Sequence, residues 1–178
     1  MNNKTFGKNS RRRSLALALL LAIGLVIAAC ARSGEDTMTG STMTEQQAAQ
    51  QVQANIHAAA AQLPATARLE QQLTNSVACG DPTDPVRRDL VTAGSTYQVH
   101  NLDSAQYPHL FDQLRTWWTA HDFRILDDKH LSTTSLFLSV ENNKDGFQMA
   151  MQSNDNGGLF LMGSSPCVWP TGKPGPTS

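Results

Sequence analysis

The chain has 178 residues, the length of one ordinary domain, and shows no internal repeat. Its formal charge of −1 hides an asymmetry: five of its 14 basic residues, Lys4, Lys8, Arg11, Arg12 and Arg13, lie at the start, and no acidic residue precedes Cys30. From Cys30 onward 9 basic residues face 15 acidic ones, a formal −6, which excludes the basic footprint that nucleic-acid binding requires.

The basic start runs into an unbroken apolar or small stretch, Leu15 to Ala29. As a helix it extends about 22 Å, short of a hydrocarbon core of roughly 30 Å. A basic start, a short apolar middle and a small-residue end are the three parts of an export signal. The closing residues "IAAC", Ile27 to Cys30, resemble the lipobox of bacterial lipoproteins. That resemblance implies that the Cys30 thiol receives a diacylglyceryl group and that residues 1–29 are cut away as a signal peptide. Two acyl chains anchor stably, at about 0.8 kcal/mol per buried methylene, where one does so only marginally. The lipid rather than charge must then hold an acidic body beside anionic headgroups. The stretch "SRRRSLA" also resembles a twin-arginine signal but lacks the usual aromatic residue after the arginines, so both export routes stay open.

Residues 31–43, "ARSGEDTMTGSTM", read with Cys30 as a lipidated, flexible tether able to span at most about 45 Å. "TGKPGPTS", residues 171–178, reads as a disordered tail. Between them, residues 44–170 are expected to form a single domain. Its first element is a helix. Thr42 and Glu45 have capping-box spacing, and Ala48, Val52, Ile56, Ala59 and Leu63 fall on one face before Pro64. A strand around Asn75 to Cys79 follows, then a turn at Gly80–Asp81–Pro82, and Ser95 to Leu102 alternates as a second strand. Asp103 or Ser104 caps the clearest helix, where Leu110, Phe111, Leu114, Trp117 and Trp118 recur at helical spacing. Adjacent residues point about 100° apart around a helix, so the two tryptophans cannot both point the same way. The core is the favoured place for each taken singly, and Trp118 is kept as a candidate contact for a partner.

"FRILDD", "TSLFLSVE", "GFQMAMQSN" and "GLFLMGSSPC" then read as strands, joined by "NNKDG" and "NDNGG", whose residues tolerate positive φ. The expected fold is α+β: an antiparallel sheet of about five strands packed against one main helix, with an additional N-terminal helix. Strand parity sends Leu136, Leu138, Val140, Met149, Met151 and Leu161 toward the main helix, and Phe137, Phe160 and Met162 to the other face. The favoured expectation is that the alanine-faced N-terminal helix lies across that second face. Left uncovered, it is an apolar binding patch.

With Cys30 assigned to lipid, Cys79 and Cys167 remain as an even pair in an exported chain, where a disulfide is the default. The alternative, two free thiols at a metal or redox site, lacks CxxC spacing. The lipobox, the tether, "ACGDP" and the terminal "SSPCVWP" together resemble small cell-envelope lipoproteins of actinobacteria, including the mycobacterial LppA-like group. The shared layout is leader, helix, first cysteine, helix, run of strands and closing cysteine. It implies an extracytoplasmic envelope lipoprotein and carries no catalytic residue across.

Other chemistry finds little footing. His57, His100, His109, His121 and His130 lack HxxxH or HExxH spacing, and His121–Asp122 and Asp127 to His130 sit at turns. "GSSPC", around Ser164 and Ser165, is not the GxSxG elbow. Gly157–Gly158 reads as a hairpin tip rather than a phosphate loop, and Asp145–Gly146 as a turn rather than a calcium loop. No catalytic residue, metal or cofactor is therefore expected. The leading reading is a membrane-anchored, non-enzymatic binding domain for an envelope protein or an apolar or cell-wall ligand. Its candidate contacts are Phe137, Phe160, Met162 and Trp118. A cell-wall hydrolase or metal-dependent enzyme, and a structural spacer at the membrane surface, are the alternatives.

Overall fold

Thr44 starts the first helix by closing a capping box with Gln47. The Thr44 hydroxyl accepts from the Gln47 N–H at 3.2 Å, and the Thr44 N–H donates to Gln47 Oε1 at 2.9 Å. This corrects the expected Thr42–Glu45 box by two residues. The cap stands one residue before helix α1 (Glu45–Ala60), which buries Ala48, Val52, Ile56 and Ala59 as its periodicity predicts. The computed structural model describes residues 42–79, 83 and 88–173. The leader 1–29, Cys30, the tether up to residue 41 and the turn at Gly80–Asp81–Pro82 lie outside the described residues, as does the tail beyond Lys173.

The chain continues through β1 (Arg68–Ala78) and β2 (Val91–His100) to a short 3-10 turn (Ser104–Gln106) and helix α2 (Tyr107–Ala120). Asp103 caps that turn by accepting from the Ala105 N–H at 3.0 Å, and Pro108 occupies the first turn of α2. Four strands complete the chain: β3 (Phe123–His130), β4 (Leu136–Asn142), β5 (Gln148–Ser153) and β6 (Leu159–Ser164). Among the described residues the fold is α+β, with two α-helices and one six-stranded antiparallel sheet in the order β1-β2-β6-β5-β4-β3. One more strand is present than expected, because the last four segments all pair. Strands β3 to β6 form a meander, and β6 adds alongside β2. Positive-φ glycines, Gly146 and Gly157, close the two expected hairpins.

Both helices pack on the same face of the sheet, α1 over β2 and β6, α2 over β3 and β4. The expectation that α1 crosses the opposite face is therefore overturned, and the physical reason lies at Gly163. A Cβ there would stand 3.2 Å from Val52 Cγ1 and 3.3 Å from Ile56 Cγ1. The missing side chain lets a helix faced largely with alanine come close enough to bury its thin apolar stripe. Tyr97, Leu110, Phe111, Leu114, Leu138, Val140, Met149, Met151 and Leu161 join it in one core. Each large side chain so buried contributes about 1.5–3 kcal/mol relative to exposure.

Trp118 belongs to that core with no exposed surface, so it is not a partner contact. Trp117 is the half-buried one, its ring 4.5 Å from that of His121. Cys79 and Cys167 form a disulfide with Cα atoms 6.1 Å apart. Beside it, Val91 and Val168 exchange backbone hydrogen bonds, at 3.0 and 2.8 Å, and Trp169 is buried. The start of the expected tail is held: the Gly172 N–H donates to Trp169 O, and the Glu45 N–H donates to Pro170 O.

Candidate functional site

With both helices on one side, the other face of the sheet carries no described element. Its side chains follow from register. One row across the strands reads Glu70, Gln98, Phe160, Gln152, Phe137 and Lys129. The next reads Leu73, Thr96, Met162, Ala150, Ser139 and Asp127, and a third reads Asn75, Gly94, Ser164, Gln148, Glu141 and Arg124. Phe137, Phe160 and Met162 thus lie together on the open face, half-buried by their neighbours, as strand parity predicts. Phe160 and Phe137 stand two strands apart, roughly 9–10 Å, with Gln152 between them.

A shallow groove of about 440 Å³ runs over this face. Leu73, Asn75, Gly94 and Thr96 form one side, Phe137 and Ser139 the other, and Met162, Ala150, Gln148 and Gln152 lie between. Sequence reasoning missed the contributions of β1, β2 and β5. The same parity rule, extended to Thr96 on β2 and Gln152 on β5, finds them.

Charge is confined to the margins. Arg124 binds Glu141, Lys129 binds Asp127, and His100 Nε2 lies 2.8 Å from Glu70 Oε2. Hydrogen bonds from Arg124 and then Gln148 hold the Glu141 carboxyl below the usual range. The floor between these pairs consists of amide, hydroxyl, phenyl and thioether groups. Such a surface offers hydrogen bonds and apolar contact without ionic selectivity.

The remaining candidates are dispersed. His121 Nδ1 lies 2.7 Å from Trp117 O, and His130 Nε2 lies 3.4 Å from Asp128 Oδ1, a carboxylate that also receives Arg115. Among the described residues no group of three or more His, Cys, Asp or Glu side chains converges as a metal site. The Ser165 hydroxyl accepts from the Ala93 N–H and donates to Pro166 O, which fixes the end of β6. Ser164 faces the groove with no base beside it in the register. No described helix is long and apolar enough to cross a membrane. Neither a protein family, nor a curated protein, nor a solved structure matches this chain.

Proposed function

We propose that this chain is an extracytoplasmic lipoprotein, anchored through acylated Cys30, whose domain binds an envelope protein or an uncharged cell-wall ligand on the open sheet face. The anchor rests on the leader and its lipobox-like "IAAC". The binding role rests on one observation above all: two helices share one face of a six-stranded sheet and leave Phe137, Phe160 and Met162 together on the other.

The chemistry of that face narrows the ligand. A lipid tail seeks an enclosed apolar cavity, and this groove is shallow with glutamines set among its apolar groups. An anionic or cationic ligand seeks unpaired opposite charge, and the marginal charges here are paired with one another. An uncharged, extended surface with alternating polar and apolar groups is the complementary partner. The test is capture of envelope components by the lipidated protein and by its Phe137→Ser/Phe160→Ser variant. The variant should fold and lose capture. Unfolding of the variant, or capture equal to that of the wild type, refutes the assignment.

A further inference from the structure

The two margins of the sheet are built differently. Both edge strands are bulged, β3 between Ile125 and Asp127 and β1 between Gln71 and Leu73. Strand β3 also carries four charged residues in eight, Arg124, Asp127, Asp128 and Lys129, whereas β1 runs in unbroken register from Leu73 to Ala78. Charge is an ordinary defence of an edge against pairing with another strand. The opposite edge, β1, is eleven residues long, and from Leu69 to Ala78 its one charged residue is Glu70. Each edge exposes two large apolar side chains, but Ile125 and Leu126 of β3 are adjacent residues at its bulge, whereas Leu73 at 52% and Val77 at 54% exposure lie on one face of β1 with Asn75 between them.

The backbone of β1 has a defined outward pattern. The Cys79 N–H donates to Leu90 O at 3.0 Å, in register with the Ala78–Val91 pair that precedes it. Antiparallel ladders alternate hydrogen-bonded and non-hydrogen-bonded pairs. Residues 73, 75 and 77 therefore spend their backbone groups on β2, while Thr74, Ser76 and Ala78 present theirs outward.

We infer that β1 pairs antiparallel with β1 of a second copy of this chain, about a two-fold axis through Asn75. In that register Leu73 lies opposite the second copy's Val77 and Val77 opposite its Leu73, while Asn75 meets its own equivalent. An axis through Leu73 or through Val77 pairs only one of the two exposed apolar residues with its own equivalent and takes the other elsewhere. The axis through Asn75 satisfies both. All three of these pairs are non-hydrogen-bonded ones, where Cα atoms approach to about 4.5 Å and side chains touch. Thr74 and Ser76 supply the flanking backbone bonds. Glu70 falls opposite a position beyond the end of β1, so no like charges oppose one another.

Self-complementarity is what selects a second copy over an unrelated strand. The contact is smaller than a standard interface of about 1,600 Å², so the dimer is reversible. The inference stands apart from the ligand of the open face. It nevertheless extends that face, since Leu73 and Asn75 also form one side of the groove and pairing would join the grooves of two copies.

Cysteine cross-linking of the full chain in the membranes of an exporting host tests the register, with the wild-type chain as baseline. Asn75→Cys should give a covalent dimer on mild oxidation. Glu70→Cys, which lies on the same face but whose two copies stand roughly 34 Å apart in this register, should give at least tenfold less. Co-expressed Leu73→Cys and Val77→Cys chains should form a mixed dimer that neither forms alone. Adding Leu73→Lys to the Asn75→Cys chain should reduce cross-linking at least tenfold while the Cys79–Cys167 bond stays intact. Equal cross-linking at positions 70 and 75, or none in either the Asn75→Cys chain or the mixed pair, overturns the inference.

Discussion

Removing the disulfide should destabilise the domain through its unfolded state and hardly at all through its folded one. In the folded chain the two ends of the bridge are held independently, by the Cys79–Leu90 backbone bond and the paired bonds of Val91 and Val168. A Cys79→Ser/Cys167→Ser variant therefore keeps its native contacts, and what it gains is freedom when unfolded. The bridge spans 88 residues. The chain-entropy relation gives about 15 cal/mol/K for a loop of that length, or about 4.6 kcal/mol at 25 °C. A domain of this size loses about 3–5 °C per kcal/mol, so the midpoint should fall by about 14–23 °C. Thermal unfolding followed by circular dichroism measures it, with the native spectrum of the variant as the check on the folded state. A fall of less than about 4 °C, or an altered native spectrum, refutes the reasoning.

Three further outcomes follow from the same geometry. Leu138→Ala, at a fully buried position, should cost about 2–5 kcal/mol, while Phe137→Ser one residue away should cost far less; urea unfolding compares them. Thr44→Ala removes the hydroxyl of the capping box and should cost about 0.5–2 kcal/mol in the same assay. Asp122, Glu141 and Asp155 have carboxyls lowered chiefly by hydrogen bonds from Asn143, Arg124 and Ser132 respectively. A lowered folded pKa stabilises above the unfolded value and is lost as pH falls through the folded one. Stability should therefore stay level on titration down to about pH 4–5 and decline below it. Asp155→Asn should make that decline shallower, and an unchanged acid limb would contradict the assignment for Asp155.

The parts of this fold legible in the sequence are those where one periodicity dominates. Alternation in "SLFLSVE", "FQMAMQ" and "GLFLMG" assigns Phe137, Phe160 and Met162 to one face, and the structure keeps that parity. The apolar stripes of α1 and α2 are equally direct. Strand β1 was legible only at its end, because an edge strand with nearly every residue exposed has no buried face to impose alternation. The hidden sign was its partner, since the alternation of β2 over ten residues calls for a ladder of similar length. The side on which α1 packs was not legible either. It depends on the space beside Gly163, a property of tertiary contact that no local pattern encodes. Trp117 and Trp118 fail for a related reason: adjacency says that one is buried, and only the packing of α2 on the sheet selects Trp118.

The most direct measurement of the binding role is photo-cross-linking in the native envelope, with the reactive group at position 152, between Phe160 and Phe137, or at the exposed position Ala58 on α1. A discrete adduct from position 152 and none from position 58 is the expected result. Adducts of the same kind and yield from both positions, or from position 58 alone, would contradict the assignment of the open sheet face as the binding surface.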